Sequence, residues 1–143
     1  MITHFTRGVR FRSAHHYWRS DWPDERNRTV FGVFVEPHWH DYELEVTLAG
    51  VPDPETGFAV DLMDLDRVLA AQVVQPLHDR HINEVVDEFG PGGLVPSTEN
   101  LTIWLWRRIE SALPNSRIVR VRLQEEEGLA VEYFGGDGGA PNA

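Results

Sequence analysis

At 143 residues and 41% hydrophobic content the chain is of one-domain size, able to build one core without covalent staples. A formal charge of -10, a pI near 5.0 and the lack of any Lys/Arg run argue against nucleic acid or an anionic membrane as partner, leaving small molecules or other proteins. Cysteine is absent, which excludes disulfides, thiolate ligands and a thiol nucleophile, and lysine is absent too, all 13 basic residues being arginine, which excludes Schiff-base chemistry.

Met1 leads into a polar, strand-like segment with no leader-type apolar region and no apolar run of about 18 residues, so the expectation is a soluble cytoplasmic protein. In RGVRFRSAH an extended chain puts Val9, Phe11, Ser13 and His15 on one face, so the first element reads as a strand whose apolar row ends in His15. Residues 18 to 29 hold a proline and many charges without period and read as a long loop, a lid or merely solvated. In FVEPHWHDYELEV the imidazoles of His38 and His40 share a face with Tyr42, Leu44 and Val46, either as part of a metal site or as two tolerated polar residues of a second strand. VPDPETG is a turn-rich connection, after which the period changes: Leu62, Leu65, Leu69 and Val73 trace a helical stripe that should stop at Pro76.

The stretch from Pro76 to Pro96 reads as irregular. PSTEN then opens a second amphipathic helix with Leu101, Trp104, Leu105 and Ile109 inward, running to near Pro114. In RIVRVRLQEEEGLAVEYFG the residues Val119, Val121, Leu123 and Glu125 share a face, and a turn near Glu127 and Gly128 makes a hairpin. Residues 136–143, at the end of GGDGGAPNA, have nothing to bury and read as a disordered tail to a single domain over 1–135. The order strand, strand, helix, helix, strand, strand gives an α+β class, a four-stranded antiparallel sheet with two helices on one face, whose exposed edges call for oligomerisation.

The blocks FRSAH, HWHDY, GFAVDL, HIN, PSTENL and VRLQE, in this order and spacing over about residues 1 to 135, resemble the 6-pyruvoyltetrahydropterin and 6-carboxytetrahydropterin synthase family. The resemblance implies a tunnelling fold assembling into an oligomeric barrel, as a trimer or hexamer with sites between subunits. It implies Zn2+ on His15, His38 and His40, and three neutral imidazoles do suit tetrahedral zinc with the fourth position open. It places Glu125 against the two parallel N–H donors of a pterin's pyrimidine edge, with Ser97, Thr98 and Glu99 lining the pocket or capping the helix or both. Glu126 and Glu127 are the competing carboxylates, but Glu125 lies on the apolar row and Glu126 does not.

The proton carriers depart from the family. Where it has a cysteine about four residues before the first ligand of the HxH pair, this chain has Phe34, and the family's Asp-His pair appears inverted as His78-Asp79, with His81 as another imidazole. Cysteine-free relatives carry a glutamate in that region and cleave the dihydroneopterin side chain; Glu36 is similar in chemistry and shares the face of His38 and His40 if Pro37 leaves the alternation intact. His16 points away from His15, to a surface or pocket. The resemblance thus implies a zinc-dependent lyase acting on a dihydropterin side chain by elimination or retro-aldol cleavage, with His78, Asp79, His81 or Glu36 moving protons. A non-catalytic pterin- or purine-binding module and a purely structural tunnelling-fold protein are the alternatives.

Overall fold

The computed structural model describes residues 1–136; the tail expected over 136–143 falls, apart from Gly136, outside them. Two long strands, β1 (Thr3–His15) and β2 (His38–Gly50), pair antiparallel along their whole length. β2 then pairs with β4 (Arg117–Glu126), and β4 with β5 (Leu129–Tyr133) across a two-residue turn in which Gly128 has φ 84°, the left-handed region open to glycine. A two-residue strand, β3 (Arg80–His81), lies parallel to the end of β1, so the sheet has five strands in the order β3-β1-β2-β4-β5 rather than the expected four. Two residues carry no readable period, which is why the sequence pattern does not show β3.

The apolar row of each strand faces the helices. Phe11, Tyr42, Leu44, Val46, Leu48, Val121 and Leu123 are buried against Leu65, Leu69 and Val73 and against Leu101, Leu105 and Ile109 of α5 (Thr98–Ala112). The other face carries a ladder of opposite charges: Arg10 with Glu43, Arg122 with Glu45, and Arg120 with Glu45 and Glu132. On β4 the expected inward row is shifted at its start. An irregularity in the pairing sets Arg120 opposite Thr47 but Ile118 opposite Leu48, so Val119 is the extra residue and Ile118 takes the inward place.

Two helical expectations change. Residues 18–29 are not a loop throughout, because α1 (Asp24–Phe31) follows Pro23, with Asp24 and Glu25 in its first turn, Arg28 in its last and Gly32 at φ 58° ending it. The helix expected to stop at Pro76 runs one residue past it, to Leu77, and is not uniform. α2 (Leu62–Leu69) runs through a π-helical turn, Ala70–Val74, into α3 (Gln75–Leu77). Pro76 has no N–H to offer the Gln72 carbonyl four residues back, and Arg108 Nε of α5 donates to that carbonyl instead, at 2.9 Å. A short α4 (Ile82–Val85) follows β3. No helix among the described residues is long and apolar enough to cross a membrane.

Candidate metal and ligand site

The β1/β2 register assembles the centre of the site. His15 lies directly opposite His38, and Ser13 opposite His40, so the end of one strand and the start of the next place three imidazoles on the core-facing side. Ring centroids are 4.4 Å apart for His15–His38, 5.0 Å for His15–His40 and 5.2 Å for His38–His40, and one nitrogen from each ring lies within 4.8 Å of the other two.

Groups behind the rings set their tautomers. His15 Nδ1–H donates to the Pro96 carbonyl at 2.9 Å and His38 Nδ1–H to the Glu36 carbonyl at 2.9 Å. Carbonyls only accept, so in both rings Nε2 keeps its lone pair. His40 Nε2 is buried with no hydrogen-bond partner among the described residues. Burial, and then the neighbouring His38 and His40, push His15 down to about 3 from the ordinary 6.5; burial lowers His40 as well, with Glu125 working against it.

Glu125 joins this cluster from β4. Gln124 pairs with Ala130 and Glu126 with Leu129, which makes Glu125 a bulged residue turned into the core. It is 7% exposed, and its Oε1 accepts from the Thr98 hydroxyl at 2.9 Å. The same oxygen stands 3.3 Å from His15 Nε2 and 3.7 Å from His40 Nε2. His15 Nε2 is an unprotonated acceptor, so with Glu125 it forms no ion pair: two acceptors meet with no hydrogen between them, an arrangement that a cation or an incoming donor relieves. The three imidazole nitrogens, one of them orphaned, make a donor set that could hold a metal ion.

Two tyrosines close the site. Tyr42, stacked on Phe11, brings its hydroxyl to 3.2 Å from His15 Nδ1, behind the ring. Tyr17 brings its hydroxyl to 3.4 Å from His15 Nε2, in front of it. Burial first, and Glu125 next, raise both phenols, so both remain protonated donors. Tyr17 follows His15 by two residues, but the strand and its apolar row end at the histidine, so no local pattern marks it. Phe34 packs at 5.1 Å from the His38 ring and 5.9 Å from Tyr17, so a phenyl ring walls the trio.

The other expected residues separate into three places. Ser97 caps α5 by accepting from Asn100 N–H at 3.1 Å, which leaves Thr98 for Glu125; Glu99 is exposed in the first turn. Glu36 precedes β2, is exposed, and meets the trio through its carbonyl, not its carboxylate; Pro37 ends the alternation assumed for it. His78 and Asp79 lie at the open face of β1: Arg12 N–H donates to His78 Nδ1 at 3.0 Å, Asp79 N–H to the Arg12 carbonyl at 2.6 Å, and Asp79 sits 3.4 Å from His78 Nε2. Among the described residues Asp79 is the one non-glycine with positive φ, 57°. His81 turns the other way. It faces Glu84 at 3.4 Å and meets His16 Nδ1 at 2.8 Å, while the Asn83 amide grips both the N–H and the carbonyl of His16.

Residues 4–136 match the 6-pyruvoyl tetrahydropterin synthase family. The chain is 32% identical to the 6-pyruvoyl tetrahydrobiopterin synthase of Poecilia reticulata, over 94% of this chain and 91% of the relative. It is also 32% identical to the dihydroneopterin monophosphate aldolase of Pyrococcus furiosus, over 68% of this chain and 77% of that one. The solved 6-pyruvoyl tetrahydropterin synthase of Caenorhabditis elegans superposes with a TM-score of 0.87 at 25% identity, covering 95% of this chain and 97% of that structure. A match over nearly the whole length, in sequence and in fold, means that this chain, with its α+β tunnelling fold, belongs to the 6-pyruvoyl tetrahydropterin synthase family.

Proposed function

We propose that the protein is a zinc-dependent enzyme of the lyase type that acts on the side chain of a dihydropterin. The observation that carries this reading is the trio itself: His15, His38 and His40 each offer a nitrogen within 4.8 Å of the other two, and His40 Nε2 is buried without a partner among the described residues. Zinc, when bound, supplies a positive charge that polarises a side-chain oxygen and lowers its proton affinity. His15, His38 and His40 would hold it, with the Pro96 and Glu36 carbonyls orienting two of the rings.

Glu125 is the group for the pterin head. A buried carboxylate fixed by Thr98 on one oxygen gains charge-assisted hydrogen bonds from the paired N–H donors of an aminopyrimidinone. Protons on the side chain fall to imidazoles and carboxylates, since no thiol exists. The His16–His81 pair, held by the Asn83 amide, lies on the trio's own subunit. His78 and Asp79, on the open face of β1, serve a site on a neighbouring copy in a homo-oligomer, trimer or hexamer. The Poecilia reticulata and Pyrococcus furiosus relatives support an elimination and an aldol-type cleavage respectively.

The test is turnover of 7,8-dihydroneopterin and of its triphosphate by the zinc-loaded protein. Consumption of dihydroneopterin with glycolaldehyde released, abolished when zinc is stripped by chelator, supports the cleavage reading. Phe34 at the thiol position favours a second reading, a pterin-binding module without turnover. Dihydroneopterin binding with neither product formed would establish that one instead.

A further inference from the structure

We infer that the Tyr17 hydroxyl is the donor that meets the side-chain oxygen of a ligand seated at the three-imidazole site. The inference rests on the metal and pterin reading above and adds a residue that this reading does not use.

The geometry follows from one tautomer. Pro96 takes the Nδ1 hydrogen of His15, so Nε2 is a lone pair, and the Tyr17 hydroxyl 3.4 Å away can only donate to it. Were His15, His38 and His40 to hold a cation, that lone pair would be used and the hydroxyl would lose its acceptor. The ring cannot follow it elsewhere. It lies edge-on to His15 at 4.9 Å and to His38 at 5.5 Å, against Phe31 and Phe34 at 5.9 Å each, and its backbone N–H is tied to the Phe34 carbonyl at 2.8 Å. With an ion held there, a half-buried O–H would remain at the front of the trio without a partner, free to donate to a ligand oxygen seated beside it.

Two other hydroxyls stand near the trio, and neither is placed against His15 Nε2. Tyr42 stands behind His15, and Thr98 donates to Glu125. Phe34, beside Tyr17, offers no hydrogen at all. The ligand class is thus an alcohol, alkoxide or carbonyl oxygen carried next to the pterin ring, and Tyr17 discriminates for that oxygen rather than for the ring.

The experiment compares wild type with Tyr17→Phe, which keeps the aromatic packing and removes one hydroxyl. Zinc content is measured first, then affinity by calorimetry for three probes: 7,8-dihydroneopterin, 6-methyl-7,8-dihydropterin, which lacks side-chain hydroxyls, and acetohydroxamate, a metal-directed oxygen ligand with no pterin. Equal zinc, a loss of about 5- to 30-fold for dihydroneopterin and acetohydroxamate, and no change for the methyl compound support the role. Equal losses for both pterins, or undiminished acetohydroxamate affinity, overturn it. Should wild type bind neither pterin, the pterin reading fails while acetohydroxamate still decides Tyr17; should wild type hold no zinc, both fall together.

Discussion

Each imidazole of the trio depends on what stands behind it. His15 and His38 are locked by carbonyls and His40 is the orphan, so His40→Ala should remove most of the bound zinc while leaving β2 intact; near-stoichiometric zinc in the His38→Ala, His40→Ala double variant, measured by atomic absorption, would refute the assignment. The pH response of the metal-free protein follows from His15. Its folded value, about 3, lies below the unfolded 6.5, so the unfolded chain binds the extra proton and stability rises with pH across that interval. Urea titrations at pH 7 and pH 5, above the range where carboxylates dominate, should show stability lost towards pH 5, and equal midpoints would contradict a buried neutral His15. Glu125→Gln should weaken dihydroneopterin about 5- to 100-fold, because an NH2 then faces a donor, with zinc content unchanged; equal calorimetric affinities would remove its role in the pocket. At this scale the sequence was most readable for His38 and His40, whose spacing alone puts them on one face. Tyr17, Pro96 and the His16–His81 contact were not, since a backbone carbonyl 81 residues away leaves no trace in local pattern.

Among the elements, the long strands and amphipathic helices were legible because their burial repeats: Tyr42, Leu44 and Val46, or Leu101, Leu105 and Ile109. What escaped has no repeat. α1 contains little apolar surface and is held by charges that suit its dipole, by Trp22 stacked on Phe31 at 5.6 Å, and by Asn27, which is fully buried. Bulges at Val119 and Glu125 likewise add one residue without altering composition, yet the second turns a carboxylate towards the trio. Asn27 accepts from Arg19 N–H at 2.7 Å and donates to the Arg19 carbonyl at 2.8 Å, so the segment between β1 and α1 is a built strap rather than a loose lid. Asn27→Ala should therefore cost about 1–3 kcal/mol in urea unfolding, by leaving backbone groups without partners. A change within a few tenths of a kcal/mol would mean that water replaces the amide and that the strap is held by its aromatic stacking alone.

For the whole molecule the open edges decide. β1 is 13 residues long, but on its outer side β3 pairs only Ser13 and Ala14 and His78 and Asp79 take the backbone groups of Arg12, so the alternate N–H and C=O groups of the segment before Arg12 have no ladder partner in this chain; β5 is the edge on the other side. Neither edge is blunted by proline, and both lie next to exposed apolar side chains, Ile2 at the start of β1 and Leu129 at the start of β5. The charge ladder on the open face is internally paired, which lets that face approach its copies without large like-charge repulsion. The expected outcome is edge-to-edge association into a closed ring. Sedimentation equilibrium should return a multiple of the 16.4 kDa chain, three or six, and hydrogen exchange read on the peptide spanning residues 3–12 should show nearly all its amides protected. In a lone subunit about half of those amides, the ones pointing away from β2, would exchange as fast as exposed backbone. A monomeric mass together with that half-fast pattern would leave His78 and Asp79 without a neighbouring site to serve, and the proton chemistry would then rest on the His16–His81 pair within one chain.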